Sequence, residues 1–183
     1  MSKTKYVILG LLMESPLSGY EIKKLINTRF RFFWNESYGQ IYPELKKLVL
    51  TGWVEIVEQP QSARKNVYYK ITEKGFSSFQ TWLNEKPDKE SIRIEMLLKV
   101  YHAKFLGPET VSSYISQYKE QHLNDLMILK SFKEELNRID NPYGNHQDIL
   151  NVIEFGILTN ESYLIWCDQM LKQYQGVHHE KKN

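Results

Sequence analysis

The segment Ser37-Tyr-Gly-Gln-Ile-Tyr-Pro-Glu-Leu-Lys-Lys-Leu48 concentrates the side chains best suited to hydrogen-bonding chemistry in this chain. Wound as a helix, it puts Ile41, Leu45, Leu48 and Val49 on one apolar face, at i, i+4, i+7 and i+8. The opposite face holds Tyr38, Gly39, Gln40, Tyr42, Lys46 and Lys47. Those residue types fit a nucleic acid. Glutamine can pair bidentately with adenine, lysine and tyrosine reach phosphates, tyrosine rings meet thymine methyls, and a glycine lets the backbone come close. Upstream, Ser18 and Tyr20 open another helix, whose N-terminus attracts anions. Downstream, Arg64 and Lys65 stand in the turn between two strand-like runs, where a basic tip suits a narrow minor groove or the backbone. Each residue also has a plainer role: Gln40 as a cap, Tyr20 and Tyr42 as half-buried core, Lys46 and Lys47 as a solvated face. The order helix, helix, basic hairpin is more specific than any of them and predicts a winged helix-turn-helix.

No other pattern carries chemistry. His102, His122 and His146 are dispersed and His178-His179 lie in the tail, so no His/Cys/Asp spacing makes a metal site. There is neither a glycine-rich phosphate loop nor a G-x-S-x-G turn. The chain is therefore expected to be no enzyme and to need no cofactor. The single cysteine, Cys167, cannot form an internal disulfide, which fits a reducing cytoplasm. The longest apolar run, Val7 to Met13, is too short to span a bilayer, and Glu14 follows at once without a cleavage pattern.

The positioning elements follow from caps and periodicity. A first helix over Lys3 to Met13 is apolar nearly all round and should be buried on more than one side. Ser18 and Glu21 form an S-x-x-E capping box for a second helix, with Ile22, Leu25, Ile26 and Arg29/Phe30 inward. Ser37 and Gln40 repeat the device for the third, which Gly52 ends in a left-handed residue against which Trp53 folds back. Pro43 must then lie in that helix's first turn or two. Val54–Glu58 and Val67–Ile71 form a hairpin, and Thr72 caps a fourth helix through Phe76, Phe79, Trp82 and Leu83. The polar run 84–89, holding Pro87, reads as a linker. Beyond it come a helix from Ile92 to Phe105, a long one opened by Pro108 and reaching about Ile139, and another from about His146 to Tyr174.

The charge divides along the same line. Residues 1–86 carry 13 Lys+Arg against 8 Asp+Glu, a net +5, and residues 87–183 carry 11 against 14, a net −3. This predicts a DNA-binding domain over 1–86 and a helical domain over 87–183. In the latter, Val111, Tyr114/Ile115, Tyr118, His122, Leu126, Leu129, Phe132/Lys133 and Leu136 nearly follow a coiled-coil spacing. That stripe is expected to meet a second copy of the chain, the alternative being an antiparallel hairpin within one chain. The fold class expected is mostly α (α+β).

The residues Tyr6 to Leu12, Ser18-Gly-Tyr-Glu-Ile22, Gln40-Ile-Tyr-Pro-Glu-Leu-Lys-Lys-Leu48, Gly52, Tyr68-Tyr69, Ile71-Thr72, Gly75 and Trp82-Leu83 resemble the PadR family of transcriptional regulators. The full length is similar to the longer, phenolic-acid-repressor-like members, with Glu95-Met-Leu-Leu-Lys99 where those open their C-terminal dimerisation domain. The resemblance implies a homodimeric, usually repressing regulator of an inverted-repeat operator, with phenolic acids or larger flat molecules as effectors. Such a ligand is expected near Phe33, Trp34, Tyr101, Phe105 and Trp166, at the junction expected of head and tail. The competing class is a winged helix used as a protein-interaction module.

Overall fold

A computed structural model of the chain describes residues 3–34, 38–58, 67–141 and 143–180, and for Tyr38 and 175–180 the backbone alone. The chain forms two compact units, Met1–Lys89 and Glu90–Asn183.

In the first unit, α1 (Thr4–Leu12) buries Ile8, Leu9, Leu11 and Leu12, as a helix apolar all round must. A two-residue strand β1 (Leu17–Ser18) leads into α2 (Gly19–Leu25), which widens into a π turn over Ile26–Phe30. The capping box is complete. Ser18 Oγ accepts from the Glu21 amide at 3.3 Å, and Glu21 Oε2 accepts from both the Ser18 amide and its hydroxyl at 2.7 Å. A short 3₁₀ turn, Tyr38–Gln40, precedes α3 (Ile41–Leu50), in which Pro43 stands third, where a missing N–H costs no helical bond. The backbone leaves α3 through Gly52 at φ 71°, and the Trp53 amide returns to the Leu48 carbonyl at 2.9 Å.

Strands β2 (Val54–Val57) and β3 (Tyr68–Ile71) pair antiparallel, Val54 opposite Ile71 and Val57 opposite Tyr68. The expected two-stranded wing is in fact a three-stranded sheet of order β1-β3-β2, with Ser18 opposite Tyr68. Two residues after a proline are too few to show the alternation by which a strand is recognised. Thr72 caps α4 (Glu73–Leu83), accepting from the Gly75 amide at 3.1 Å. It also binds the end of α3 to the start of α4: its hydroxyl donates to Gly52 O at 2.7 Å and its amide to Trp53 O at 3.0 Å. The core joins α1, α2, α3 and β2 through Ile8, Leu9, Ile22, Ile41, Leu45 and Val54.

The second unit holds α5 (Glu95–Tyr101), a 3₁₀ turn Ala103–Phe105, α6 (Pro108–Leu136) and α7 (His146–Glu180). Pro108 is the first residue of α6. Lys119 pairs with Asp168 at 2.5 Å, Lys130 with Glu161 at 3.2 Å, and Lys133 with Glu154. Partner numbers fall as α6 numbers rise, so the two helices run antiparallel. Between them His122 Nδ1 and Asn160 Oδ1 stand 2.7 Å apart, which assigns the imidazole proton to Nδ1, and Asn160 Nδ2 donates to Gly156 O at 2.8 Å. The His122 ring stacks on Tyr163 with centroids 4.2 Å apart and takes Tyr118 on edge. Its Nε2 is buried without a hydrogen-bond partner among the described residues.

One expectation is corrected here. The α6 stripe of Val111, Ile115, Leu126 and Leu129 is buried within the chain, in the α6–α7 hairpin, and is not left for a second copy. Periodicity reveals that a face is buried but not which element covers it. Other apolar side chains remain exposed instead, among them Leu98, Tyr101 and Phe105 after buried Met96, and Phe155, Leu158 and Ile165 on α7.

Candidate nucleic-acid interface

The packing of α3 decides which of its side chains can meet a ligand. Ile41, Leu45 and Leu48 are buried, which turns Gly39, Gln40, Tyr42, Lys46 and Lys47 outward. Gln40 is the backbone N-cap of α3 and makes no side-chain cap hydrogen bond. Its expected box partner, Ser37, lies outside the described residues. Tyr42, 50% exposed, is seated by its neighbour: a Cβ added to Gly19 would lie 2.6 Å from Tyr42 Cε1, so only glycine lets the ring lie against the start of α2. Lys47 is paired with Glu44 at 3.4 Å, while Lys46 forms no ion pair among the described residues. Among the described residues, Lys46 is thus the cation of α3 without an ion-pair partner. Gly39 has no positive φ, and a Cβ added there would meet no atom within 4 Å, so the fold itself does not require glycine at that position.

The α2 end is different. Tyr20 is well exposed, but Ser18 is only 4% exposed and its amide and hydroxyl both donate to Glu21. Ser18 is therefore corrected from a phosphate donor to a cap, because the carboxylate it serves uses up its donors and adds negative charge at that end. Arg64 and Lys65 lie outside the described residues, as does the rest of 59–66.

Three residues outside the expected contact set extend this surface at the end of α3 and on the sheet. Leu50, Ile56 on β2 and Tyr69 on β3, together with Lys46 and Val49, line a groove of about 290 Å³. Burial, and secondarily the nearby Tyr42, push the Tyr69 phenol above its ordinary pKa. Leu50 follows Lys46 by four positions and Tyr42 by eight, a spacing that could have signalled it.

The aromatic residues expected to serve a flat ligand divide between the units. Phe33 is half exposed and takes Phe30 edge-on, and the Trp34 amide bonds to Phe30 O at 2.7 Å. In the helical unit Tyr101 is 82% exposed and Phe105 is also exposed, whereas Trp166 packs beside Cys167, Val111 and Ile115. Among the described residues no group of three His, Cys, Asp or Glu side chains could hold a metal ion. No described helix is long and apolar enough to cross a membrane.

The chain also resembles known proteins. Residues 8–81 match the transcriptional regulator PadR-like family, and residues 92–175 match the virulence activator alpha C-terminal family. The negative transcriptional regulator PadR of Bacillus subtilis is 27% identical over 180 residues, covering 93% of this chain and 97% of that protein. The crystal structure of Bacillus subtilis PadR in complex with operator DNA superposes with a TM-score of 0.79 at 27% identity, over 94% of this chain and 99% of that one. The same protein in complex with p-coumaric acid gives 0.72 at 26% identity, over 93% and 98%. Residues 8–81 thus form a PadR-like transcriptional-regulator domain, and the chain is similar to Bacillus subtilis PadR along nearly its whole length.

Proposed function

We propose that the chain is a homodimeric repressor that works in the cytoplasm, binds an inverted-repeat operator in double-stranded DNA, and is released by a small phenolic-acid-like molecule. The observation that carries this reading is the outward face of α3. Gly39 and Gln40 in the 3₁₀ turn, and Tyr42 and Lys46 on α3, which has no ion pair at Lys46 among the described residues, are exposed together while the other face of α3 is anchored in the core. A recognition helix works from such a face, its N-terminal residues at base edges and the preceding helix across the backbone. Tyr38, Lys47 and Tyr20 extend the surface, and Arg64 with Lys65 supply a basic wing. Exposed Leu98, Tyr101, Phe105, Phe155 and Ile165 support association with a second copy. Two heads in one dimer would read half-sites about 34 Å apart. The effector class is taken from the p-coumaric acid complex of the Bacillus subtilis relative; exposed Tyr101 and Phe105 offer ring surface to a flat ligand. Such a ligand acts by favouring a dimer whose heads do not match the half-site spacing. The protein acts by binding and not by turnover.

The test is footprinting and fluorescence anisotropy on the gene's own upstream fragment, with and without p-coumaric acid. Binding should weaken steeply between 50 and 200 mM salt, as phosphate contacts require. A shallow salt dependence would point to a protein-interaction module instead. Arg64→Ala with Lys65→Ala should lower affinity for all sequences and reduce the salt slope by up to about two. A monomer in sedimentation at micromolar concentration would remove the dimer and, with it, the inverted repeat.

A further inference from the structure

Down the exposed face of α3, Tyr42, Lys46 and Leu50 follow one another at i, i+4 and i+8, a line about 12 Å long. The line begins in a phenol, passes a cation with no ion-pair partner among the described residues, and ends in a leucine that is 86% exposed. Across the groove stand Ile56, 58% exposed, and Tyr69. Single exposed aliphatic residues are ordinary, but two flanking one groove beside a cation form a surface of mixed chemistry. Among the described residues no carboxylate lines that groove.

We propose that this groove clasps one strand of the duplex, Lys46 and Tyr69 holding a phosphate while Leu50 and Ile56 pack on the adjoining deoxyribose. The inference rests on the DNA-binding reading and adds to it a readout of the sugar. The occupant follows from charge and continuity. A sugar–phosphate strand alternates an anion with an apolar ring, which matches a cation and a phenol beside two aliphatic lips. It also continues the surface that α3 presents from Gly39 onward. A second head is a poor occupant, since residues 1–86 carry a net +5 and like charges would meet. An apolar peptide would leave Lys46 without a counterion. The groove therefore selects DNA over RNA: a ribose 2′-hydroxyl pressed against Leu50 and Ile56 would lose its water and gain no partner.

The experiment uses the full chain and the footprinted duplex. Leu50→Gln with Ile56→Thr changes two exposed side chains, and far-UV circular dichroism should match wild type. Affinity should fall about tenfold with the salt slope unchanged, because no phosphate contact is removed. A scan of single ribonucleotides along each half-site should weaken wild type severalfold at one or two neighbouring positions and leave the double variant indifferent there. Wild-type affinity in the variant, or a scan without a sensitive position, overturns the clasp while leaving DNA binding intact. A variant that binds DNA normally but no longer regulates would assign the groove to a protein partner and also overturn it. Absence of any saturable binding to the unmodified duplex at 50 mM salt would instead sink the DNA-binding reading itself, and the clasp with it.

Discussion

Replacing Gly75 by alanine tests how the head holds the end of α3. A Cβ at this position would lie 2.0 Å from the Trp53 carbonyl oxygen and 3.0 Å from Ile71 Cγ1. Carbon and oxygen normally stay about 3.3 Å apart, so the carbonyl must move by more than about 1 Å. It cannot do so freely, because it accepts from the Thr72 amide at 3.0 Å while the Trp53 amide is tied to Leu48 O. The movement also disturbs Thr72, whose hydroxyl caps Gly75 and donates to Gly52 O. Overpacking of this kind costs about 1–3 kcal/mol, and one lost hydrogen bond adds about 1 kcal/mol. A total of about 3 kcal/mol lowers the melting temperature of a unit this size by roughly 12–24 °C. Calorimetry of the full chain measures it, with Gly39→Ala as control, since an added Cβ there meets nothing within 4 Å. A Gly75→Ala melting temperature within 2 °C of wild type would refute the tie between α3 and α4.

Gly39→Ala, folded like wild type, should nonetheless weaken binding to the upstream fragment in anisotropy titrations, because only close approach by DNA makes use of the missing side chain; unchanged affinity would remove Gly39 from the interface. The Tyr118 phenol is pushed up to about 12, first by burial and then by Tyr163 and Cys167. The folded state therefore keeps its proton beyond the ordinary tyrosine value of about 10, and Tyr118 contributes stability that is present below about pH 10 and lost as pH rises toward about 12. Urea melts should show a shallower alkaline decline for Tyr118→Phe than for wild type. His122→Leu strands the buried Asn160 oxygen and should cost about 1–3 kcal/mol in the same melts, whereas adding Asn160→Leu should recover much of it; a double variant no more stable than the single would dissociate the pair.

How much of this was legible in the sequence depends on how local the signal was. The Ser18–Glu21 box, the Thr72 cap, the left-handed Gly52 and Pro108 at the head of α6 are each set within four residues, and each stands where its spacing predicts. The buried set Ile41, Leu45 and Leu48 was likewise fixed by helical period. Contacts between distant segments were not legible. Strand β1 exists only because β3 offers it an edge, and the α6 stripe found α7 and not a second copy. Ser18 shows the same limit at one residue: its type suits a phosphate or a cap, and only its burial against Glu21 decides. Leu50 and Ile56 belong to different elements, so nothing in either stretch alone announces their groove.

The ladder between α6 and α7 has a mechanical meaning. Sliding one helix past the other by a turn would break the Lys119–Asp168, Lys130–Glu161 and Lys133–Glu154 pairs together and part His122 from Asn160. None of these can be lost alone along that path, because all four share one register. The hairpin is thus a keyed shaft, stiff against translation and free only to bend or turn as a single body. A force applied at one end reaches the other by bending or turning both helices together.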